Sequence, residues 1–175
     1  TLNGSWGYMP SAIDWRSVRE ILAMLRTAAA GGGNLLLNIG PRPDGSVPDE
    51  AVERLRTVGR WLGRYGDAVY GPLDRVAGRM EWMLTGQWTL RGNTAYYWVD
   101  RWPGTTLAIG GLQTPVRRAT LLPNGTELIV EQSDRRLVLR GLPETSPDDI
   151  AGVTVIRLEC DGPPRQVLGS GYETL

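Results

Sequence analysis

Residues 31–41 read GGGNLLLNIGP, and this stretch decides the predicted fold. Its apolar run at 34–39 does not alternate with polar residues, whereas a strand with one wet face would alternate. Three consecutive leucines therefore predict a strand that is covered on both faces, as in the parallel sheet of an α/β fold. Such a strand needs a partner at each edge. We predict a buried strand at 34–39 whose neighbours come from elsewhere.

Helices are predicted on both sides of this strand. In residues 14–30 apolar side chains recur every three or four positions, with Ser11 or Asp14 as the N-cap. A second apolar stripe, spaced four and three residues apart, predicts a helix at 49–65. The order loop, helix, strand, loop, helix is that of the end of an α/β repeat.

The chain changes character after about residue 78. Short stretches rich in Thr, Val, Ile, Leu, Tyr and Trp alternate with turn signals, a pattern that predicts an antiparallel β-sandwich. The predicted strands are 86–91, 94–100, 106–110, 116–122, 126–131, 135–140 and 153–160. The predicted fold class is therefore α/β followed by all-β.

One predicted strand of this second part, 94–100, carries aromatic side chains on both faces. Side chains alternate along a strand, so Ala95, Tyr97 and Val99 share one face and Tyr96 and Trp98 the other. The aromatic second face has two interpretations. It packs against the first domain, or it binds a sugar.

The composition excludes several chemistries. The chain has no His, no Lys and no Phe. It therefore lacks a Ser/His/Asp triad, a Cys/His dyad, an imidazole metal site and a Schiff-base lysine. The single cysteine, Cys160, is predicted to be a small apolar core residue. We expect no metal and no cofactor.

Charge and hydropathy limit the partners. Nineteen basic residues balance nineteen acidic ones, so the sequence gives no sign of a nucleic-acid surface. No apolar run approaches the roughly 18 residues of a membrane span, and we expect no membrane partner. Because the chain begins at Thr1 rather than Met, we expect it to be part of a longer protein. The sequence does not indicate a cellular location.

Two loops qualify for a functional site, because loops that follow the strands of an α/β fold meet at one face. They are residues 3–8, a glycine-containing loop with the large aromatic residues Trp6 and Tyr8, and residues 40–47. We expect both loops to line the same opening. The indole of Trp6 either packs under its loop or forms a wall for a ligand with an apolar face, such as a sugar.

Carboxyl groups are scarce in these loops. A retaining glycoside hydrolase needs two of them, about 5 to 5.5 Å apart, and only Asp44, Asp49 and Glu50 are present. Asp44 precedes a glycine, which is typical of a turn, while Asp49 and Glu50 suit a helix N-terminus. We predict structural roles for all three and no catalytic pair in this chain.

Residues 1–72 contain a series of short motifs. They are NGSWGY at 3–8, GGNLLLNIGP at 32–41, DG at 44–45, VP at 47–48, RWL at 60–62 and GDAVYG at 66–71. In both order and spacing these motifs resemble the last part of the catalytic barrel in α-L-fucosidases of glycoside hydrolase family 29. The β-rich remainder is similar in kind to that family's C-terminal sandwich domain.

The resemblance implies a division at 1–72, the end of a (β/α)₈-like barrel, and 78–175, the sandwich. It implies a retaining exo-glycosidase that removes terminal α-L-fucose through a covalent intermediate and needs no metal. The family's two catalytic carboxylates normally precede the motif at 3–8. This chain would then carry neither of them and would be inactive without its partner, the N-terminal portion of the barrel.

The resemblance also assigns Trp6 to substrate binding, at an aromatic position near the C5 methyl group of fucose. The expected substrate is a fucosylated glycan or glycoside. An alternative function is a non-catalytic module, in which the sandwich either binds carbohydrate through Tyr96, Trp98 and Trp102 or only docks on the barrel.

Overall fold

A computed structural model describes residues 1–80, 83, 85–134 and 136–167. Position 135, where one predicted strand begins, and residues 168–175 of the predicted sandwich lie outside the described residues. Neither α-helix in the described part is long and apolar enough to cross a membrane. The helices are α1 (Val18–Ala30), α2 (Asp49–Tyr65) and the short 3₁₀ helix Gly66–Ala68. The strands are β1 (Gly86–Arg91), β2 (Thr94–Val99), β3 (Thr106–Gly110), β4 (Val116–Leu121), β5 (Glu127–Gln132), β6 (Arg136–Arg140) and β7 (Thr154–Cys160).

The helix α1 begins four residues later than predicted, and neither Ser11 nor Asp14 is its N-cap. Ser17 is the cap, in a capping box with Glu20. The carboxylate of Glu20 accepts a hydrogen bond from the Ser17 backbone N–H at 2.7 Å, and the Ser17 hydroxyl accepts one from the Glu20 backbone. This pair satisfies two donors that a helix start leaves free. The same backbone hydrogen bond lowers the pKa of Glu20. The second helix, α2, has the predicted bounds.

The strands form one antiparallel sheet in the order β1-β2-β7-β4-β5-β6-β3. All seven strands contribute side chains to one apolar core, including Trp88 from the first edge strand and Leu107 from the last. Because these side chains are buried and the helices lie on the other face, the sheet must fold over on itself to enclose them. The predicted two-layer arrangement is therefore built from one continuous sheet.

The two helices pack on the opposite face of the sheet. Tyr96 and Trp98 are buried there with Ile21, Leu22 and Trp61. The ring centroids of Trp61 and Trp98 are 4.8 Å apart. The docking interpretation of the aromatic face is therefore confirmed, and a sugar platform on Tyr96 and Trp98 is wrong, because both side chains are covered by the helices.

The predicted buried strand at 34–39 is wrong for this structure. The segment forms no strand, and Leu36 is 93% exposed. The backbone N–H of Leu2 donates to the backbone carbonyl of Asn38 at 3.1 Å. The physical reason is the missing partners, since no strand in the described part of the chain lies beside 34–39 and the fold requires one at each edge.

Cys160 occupies the predicted position in the core. Its side chain at the end of β7 is fully buried among apolar residues. Burial raises the pKa of the thiol to about 11. Because the thiolate is the reactive form, both burial and the low thiolate fraction protect Cys160 at neutral pH.

Alkylation should show this protection directly. At pH 8 we expect iodoacetamide to leave Cys160 unmodified in the native protein and to modify it once urea has unfolded the chain. Peptide mass spectrometry measures the modified fraction at Cys160. Equal labelling of native and unfolded protein would contradict the buried position.

Candidate functional site

The two predicted loops meet where the segment 34–39 ends. The side-chain amide of Asn38 donates to the carbonyl of Trp6 at 2.9 Å. At Gly40 the two backbone segments approach so closely that a Cβ added to Gly40 would lie 2.6 Å from the carbonyl carbon of Gly7. Only glycine fits there without displacing the backbone. The two loops are therefore in contact at these ends, and a shared opening between them stays a prediction.

Polar contacts within the first loop fix its course. Asn3 is buried, and its side-chain oxygen accepts from the backbone N–H of Ser5 at 3.1 Å. The hydroxyl of Thr1 donates to the Asn3 carbonyl. Leu2 is buried with the side chains of α1 and α2. The loop is thus anchored at its base, and it carries Trp6 and Tyr8 outward.

Trp6 is 84% exposed, so the interpretation that its indole packs under the loop is wrong. Tyr8, two residues on, is 38% exposed. Trp6 takes part in none of the ring pairs of the described residues. Its position is therefore set through the backbone, and its apolar faces are free to contact a ligand.

The three carboxylates of residues 44–50 have structural surroundings. Asp44 accepts hydrogen bonds from the Ser46 hydroxyl at 2.7 Å and from its backbone N–H at 2.9 Å. These hydrogen bonds, the side-chain one first, lower the pKa of Asp44. Asp49 lies 3.7 Å from Arg42, and both Asp49 and Glu50 are exposed in the first turn of α2.

These carboxylates are not assembled for catalysis or metal binding. Asp44 is engaged by its own turn, and the other two face solvent at a helix N-terminus, where their charge is favourable. Within the described part of the chain, no three acidic or cysteine side chains come together to hold a metal ion. The residues present here can bind a ligand's apolar face, and they offer no acid/base pair.

A separate cavity of about 510 Å³ lies at the other end of the segment 34–39. Leu35 lines it together with side chains of α1 and of residues 69–73. Large apolar side chains nearby, Leu36 and Tyr70, are exposed. This cavity is distinct from the Trp6 loop, and polar and apolar groups both line it.

Sequence reasoning missed one feature of this site, the direct backbone contact between Gly7 and Gly40. The available signal was the glycine in each loop, because glycine permits two backbone segments to approach more closely than any other residue does.

Trp102, the third aromatic residue of the alternative sugar platform, lies apart from the buried pair Tyr96 and Trp98. It donates its indole N–H to the Pro143 carbonyl at 2.9 Å.

Comparison with known proteins gives consistent matches. The family described as alpha-L-fucosidase matches residues 1–67. The Dictyostelium discoideum alpha-L-fucosidase is 31% identical over 163 residues, which cover 85% of this chain and 34% of that relative. The alpha-L-fucosidase isoenzyme 1 from Paenibacillus thiaminolyticus superposes with a TM-score of 0.80 at 29% identity, covering 91% of this chain and 38% of that chain.

A third match is the Thermotoga maritima alpha-fucosidase in complex with fucose, with a TM-score of 0.73 at 26% identity over 90% of this chain and 38% of that chain. The structural matches include both the helices and the sheet, since they cover about nine tenths of this chain. The Dictyostelium match covers most of this chain, but this chain spans only about a third of the length of that relative. Residues 1–67 thus match the α-L-fucosidase family, and the chain as a whole is similar to a C-terminal portion of the α-L-fucosidases of glycoside hydrolase family 29.

Proposed function

We propose that this chain is the C-terminal part of a retaining exo-glycosidase that hydrolyses terminal α-L-fucosides. The observation that carries the proposal is the exposed indole of Trp6, held on an anchored loop inside the region that matches the family. The Thermotoga maritima relative, which holds fucose, supports the same substrate class.

Trp6 suits the chemistry of the sugar. Fucose is a 6-deoxy sugar, so its C5 carries a methyl group where galactose carries a hydroxymethyl group. A methyl group is best placed against an apolar wall that leaves no polar group unpaired. The indole of Trp6 provides such a wall, and the substrate is accordingly a fucosylated glycan or glycoside.

The catalytic carboxylates come from the preceding portion of the protein. Retaining hydrolysis proceeds by double displacement, in which one carboxylate attacks the anomeric carbon and the other acts as acid and then as base. Asp44, Asp49 and Glu50 form no such pair. The chain therefore contributes to binding and to closure of the barrel, and we expect it to be inactive by itself.

The surface around 34–39 supports a division of the chain at 1–72 and 78–175. Leu36 is exposed, and no strand of the described residues lies beside 34–39, which suits a segment whose neighbouring strands belong to another part of a barrel. Ile13 and Tyr70 add exposed apolar area on the helical part. The partner that covers this surface is the N-terminal portion of the same barrel, and residues 78–175 form the sandwich.

The test uses the complete protein, the variant Trp6→Ala and the control Ile129→Ala, which removes an exposed side chain of β5. Hydrolysis of an aryl α-L-fucoside should fall in kcat/KM by about 10- to 100-fold in Trp6→Ala, the range of a lost apolar pocket contact. Ile129→Ala should keep the parent rate, and the Tm of both variants should stay close to the parent value.

An aryl α-L-galactoside, which adds a hydroxyl to the methyl group, gives the second readout. Its hydrolysis should fall less than that of the fucoside in Trp6→Ala, so the preference for fucose should decline. Unchanged fucoside kinetics would remove Trp6 from the site. A complete protein that hydrolyses no α-L-fucoside would overturn the proposed function itself.

A further inference from the structure

We propose that Asn38 is a positioning residue for Trp6, which it holds through the backbone of the 3–8 loop. The inference rests on the proposed function, because it concerns how the apolar wall of the fucose site is oriented. Asn38 itself does not touch the sugar. It fixes the residue that does.

Asn38 makes two hydrogen bonds to the segment that carries Trp6. Its backbone carbonyl accepts from Leu2 N–H at 3.1 Å, before the loop begins. Its side-chain amide donates to the Trp6 carbonyl at 2.9 Å, in the middle of the loop. One residue thus ties both the base and the centre of the loop to the segment 34–39.

The side chain of Trp6 has no comparable support of its own. Its indole is 84% exposed, so little packing selects one rotamer over another. The orientation of the indole consequently depends on where the backbone holds its Cα–Cβ bond. The amide of Asn38 bonds the carbonyl oxygen of Trp6 itself, which is two bonds from the Trp6 Cα. This hydrogen bond therefore controls the direction of the Cα–Cβ bond.

The base of the loop makes Asn38 a fixed reference point. Leu2 is buried in the core that α1 and α2 share with the sheet. Its hydrogen-bond partner, Asn38, is held by that contact, and Gly40 packs against Gly7 two residues later. The loop therefore has anchors on both sides of Trp6, and the amide of Asn38 adds a side-chain hydrogen bond between them.

The chemistry of the amide is specific. A neutral –NH₂ group donates to a carbonyl, whereas a carboxylate of the same shape offers only acceptors. The Asn38→Asp variant keeps the volume and removes the donor. Because this hydrogen bond is accessible to solvent, its loss should have a small effect on folding. Positioning and stability can therefore be separated.

The first experiment measures kinetics in the complete protein. Asn38→Ala and Asn38→Asp should each lower kcat/KM for an aryl α-L-fucoside by about fivefold, the ratio expected for one neutral hydrogen bond, and should weaken the preference for fucoside over α-L-galactoside. The control is Asn34→Ala, on the same segment, whose side chain makes no hydrogen bond among the described residues. It should behave as the parent protein.

A double variant tests whether Asn38 acts through Trp6. In the Trp6→Ala background, Asn38→Ala should cause little further loss, because the group that it positions is gone. Full additivity would overturn the proposal, as would parent-like activity of Asn38→Asp. A collapse of Tm in Asn38→Ala would make the residue structural and would also overturn it.

A spectroscopic readout separates this inference from the proposed function. In protein labelled with 5-fluorotryptophan, the ¹⁹F resonance of Trp6 is assigned as the one absent in Trp6→Phe. Asn38→Ala and Asn38→Asp should shift or broaden that resonance and leave the other tryptophan resonances in place. An unmoved Trp6 resonance would overturn the positioning role, whatever the kinetics of Trp6→Ala show about the function.

Discussion

Replacing Trp61 by Ala is expected to lower the free energy of unfolding by about 3–5 kcal/mol, the usual cost of removing a buried aromatic side chain. Trp61 lies on α2 and is completely buried between the helices and the sheet. Its ring stacks on Tyr65 at a centroid distance of 4.7 Å and meets Trp98 at 4.8 Å. Its side chain therefore packs against both the helical layer and the sheet.

Two effects add in this variant. Removing the indole leaves a cavity that its neighbours, two more large rings, can fill only in part. It also removes the donor that bonds the carbonyl of Val153 at 2.8 Å. That carbonyl precedes β7 and is left buried without its partner, which costs free energy in addition to the lost packing.

Two further variants resolve these effects. Trp61→Phe keeps a ring and loses the indole donor, so we expect a smaller loss than in Trp61→Ala. Leu55→Ala, at a partly exposed position of the same helix, should change the free energy of unfolding by about 1 kcal/mol or less. Urea unfolding followed by circular dichroism measures all three. A Trp61→Ala protein as stable as Leu55→Ala would show that the helices and sheet are not joined here.

Most elements of the fold were predictable because their signals are local. The apolar period of α2 and the turn-separated strands are written into neighbouring residues, and the structure has α2 and two strands, Gly86–Arg91 and Thr106–Gly110, at the predicted bounds. The alternation in β2 likewise predicted which side chains face the helices. Local patterns suffice where an element and its covered face belong to the same short stretch.

Other features depend on partners that a local pattern does not contain. The run Leu35 to Leu37 predicts a strand that is covered on both faces. The described part of the chain supplies no neighbouring strand to pair with it. The start of α1 was misplaced because several residues could serve as its cap. Only the reciprocal contact of Ser17 with Glu20 identifies the actual one.

The loop that carries Trp6 could be located from the sequence, whereas its conformation could not. The motif NGSWGY indicated Trp6 and its loop, but composition alone also allowed the indole to pack inward. Its exposure depends on how residues 3–8 cross the segment 34–39, which is a matter of tertiary structure. The contact of Gly7 with Gly40 depends on the same crossing, so it emerges only from the folded chain.

A second large effect is expected at the ion pair between α1 and the end of β2. The guanidinium of Arg26 contacts both carboxylate oxygens of Asp100, at 2.6 and 2.7 Å. The side chain of Arg26 is 5% exposed, whereas that of Asp100 is 34% exposed. Asp100→Ala should therefore destabilise the protein by about 3–5 kcal/mol, because it leaves a buried charge without its partner.

Arg26→Met removes the same ion pair and should cost much less. The carboxylate that remains is accessible to water, and the methionine side chain replaces part of the buried arginine stem. The backbone of Asp100 keeps its own contacts in both variants, since its carbonyl accepts from Arg19 and its N–H donates to Thr85. The difference in the free energy of unfolding between Asp100→Ala and Arg26→Met therefore measures the cost of burying the Arg26 guanidinium without its partner.

The double variant Arg26→Met/Asp100→Ala completes the measurement. Once Arg26 is gone, the change at Asp100 no longer strands a charge, so the double variant should be close to Arg26→Met and more stable than Asp100→Ala. Urea unfolding at low and high salt gives the three free energies. Equal losses in the two single variants would contradict the argument, because they would mean that Arg26 finds water or another partner when the carboxylate is removed.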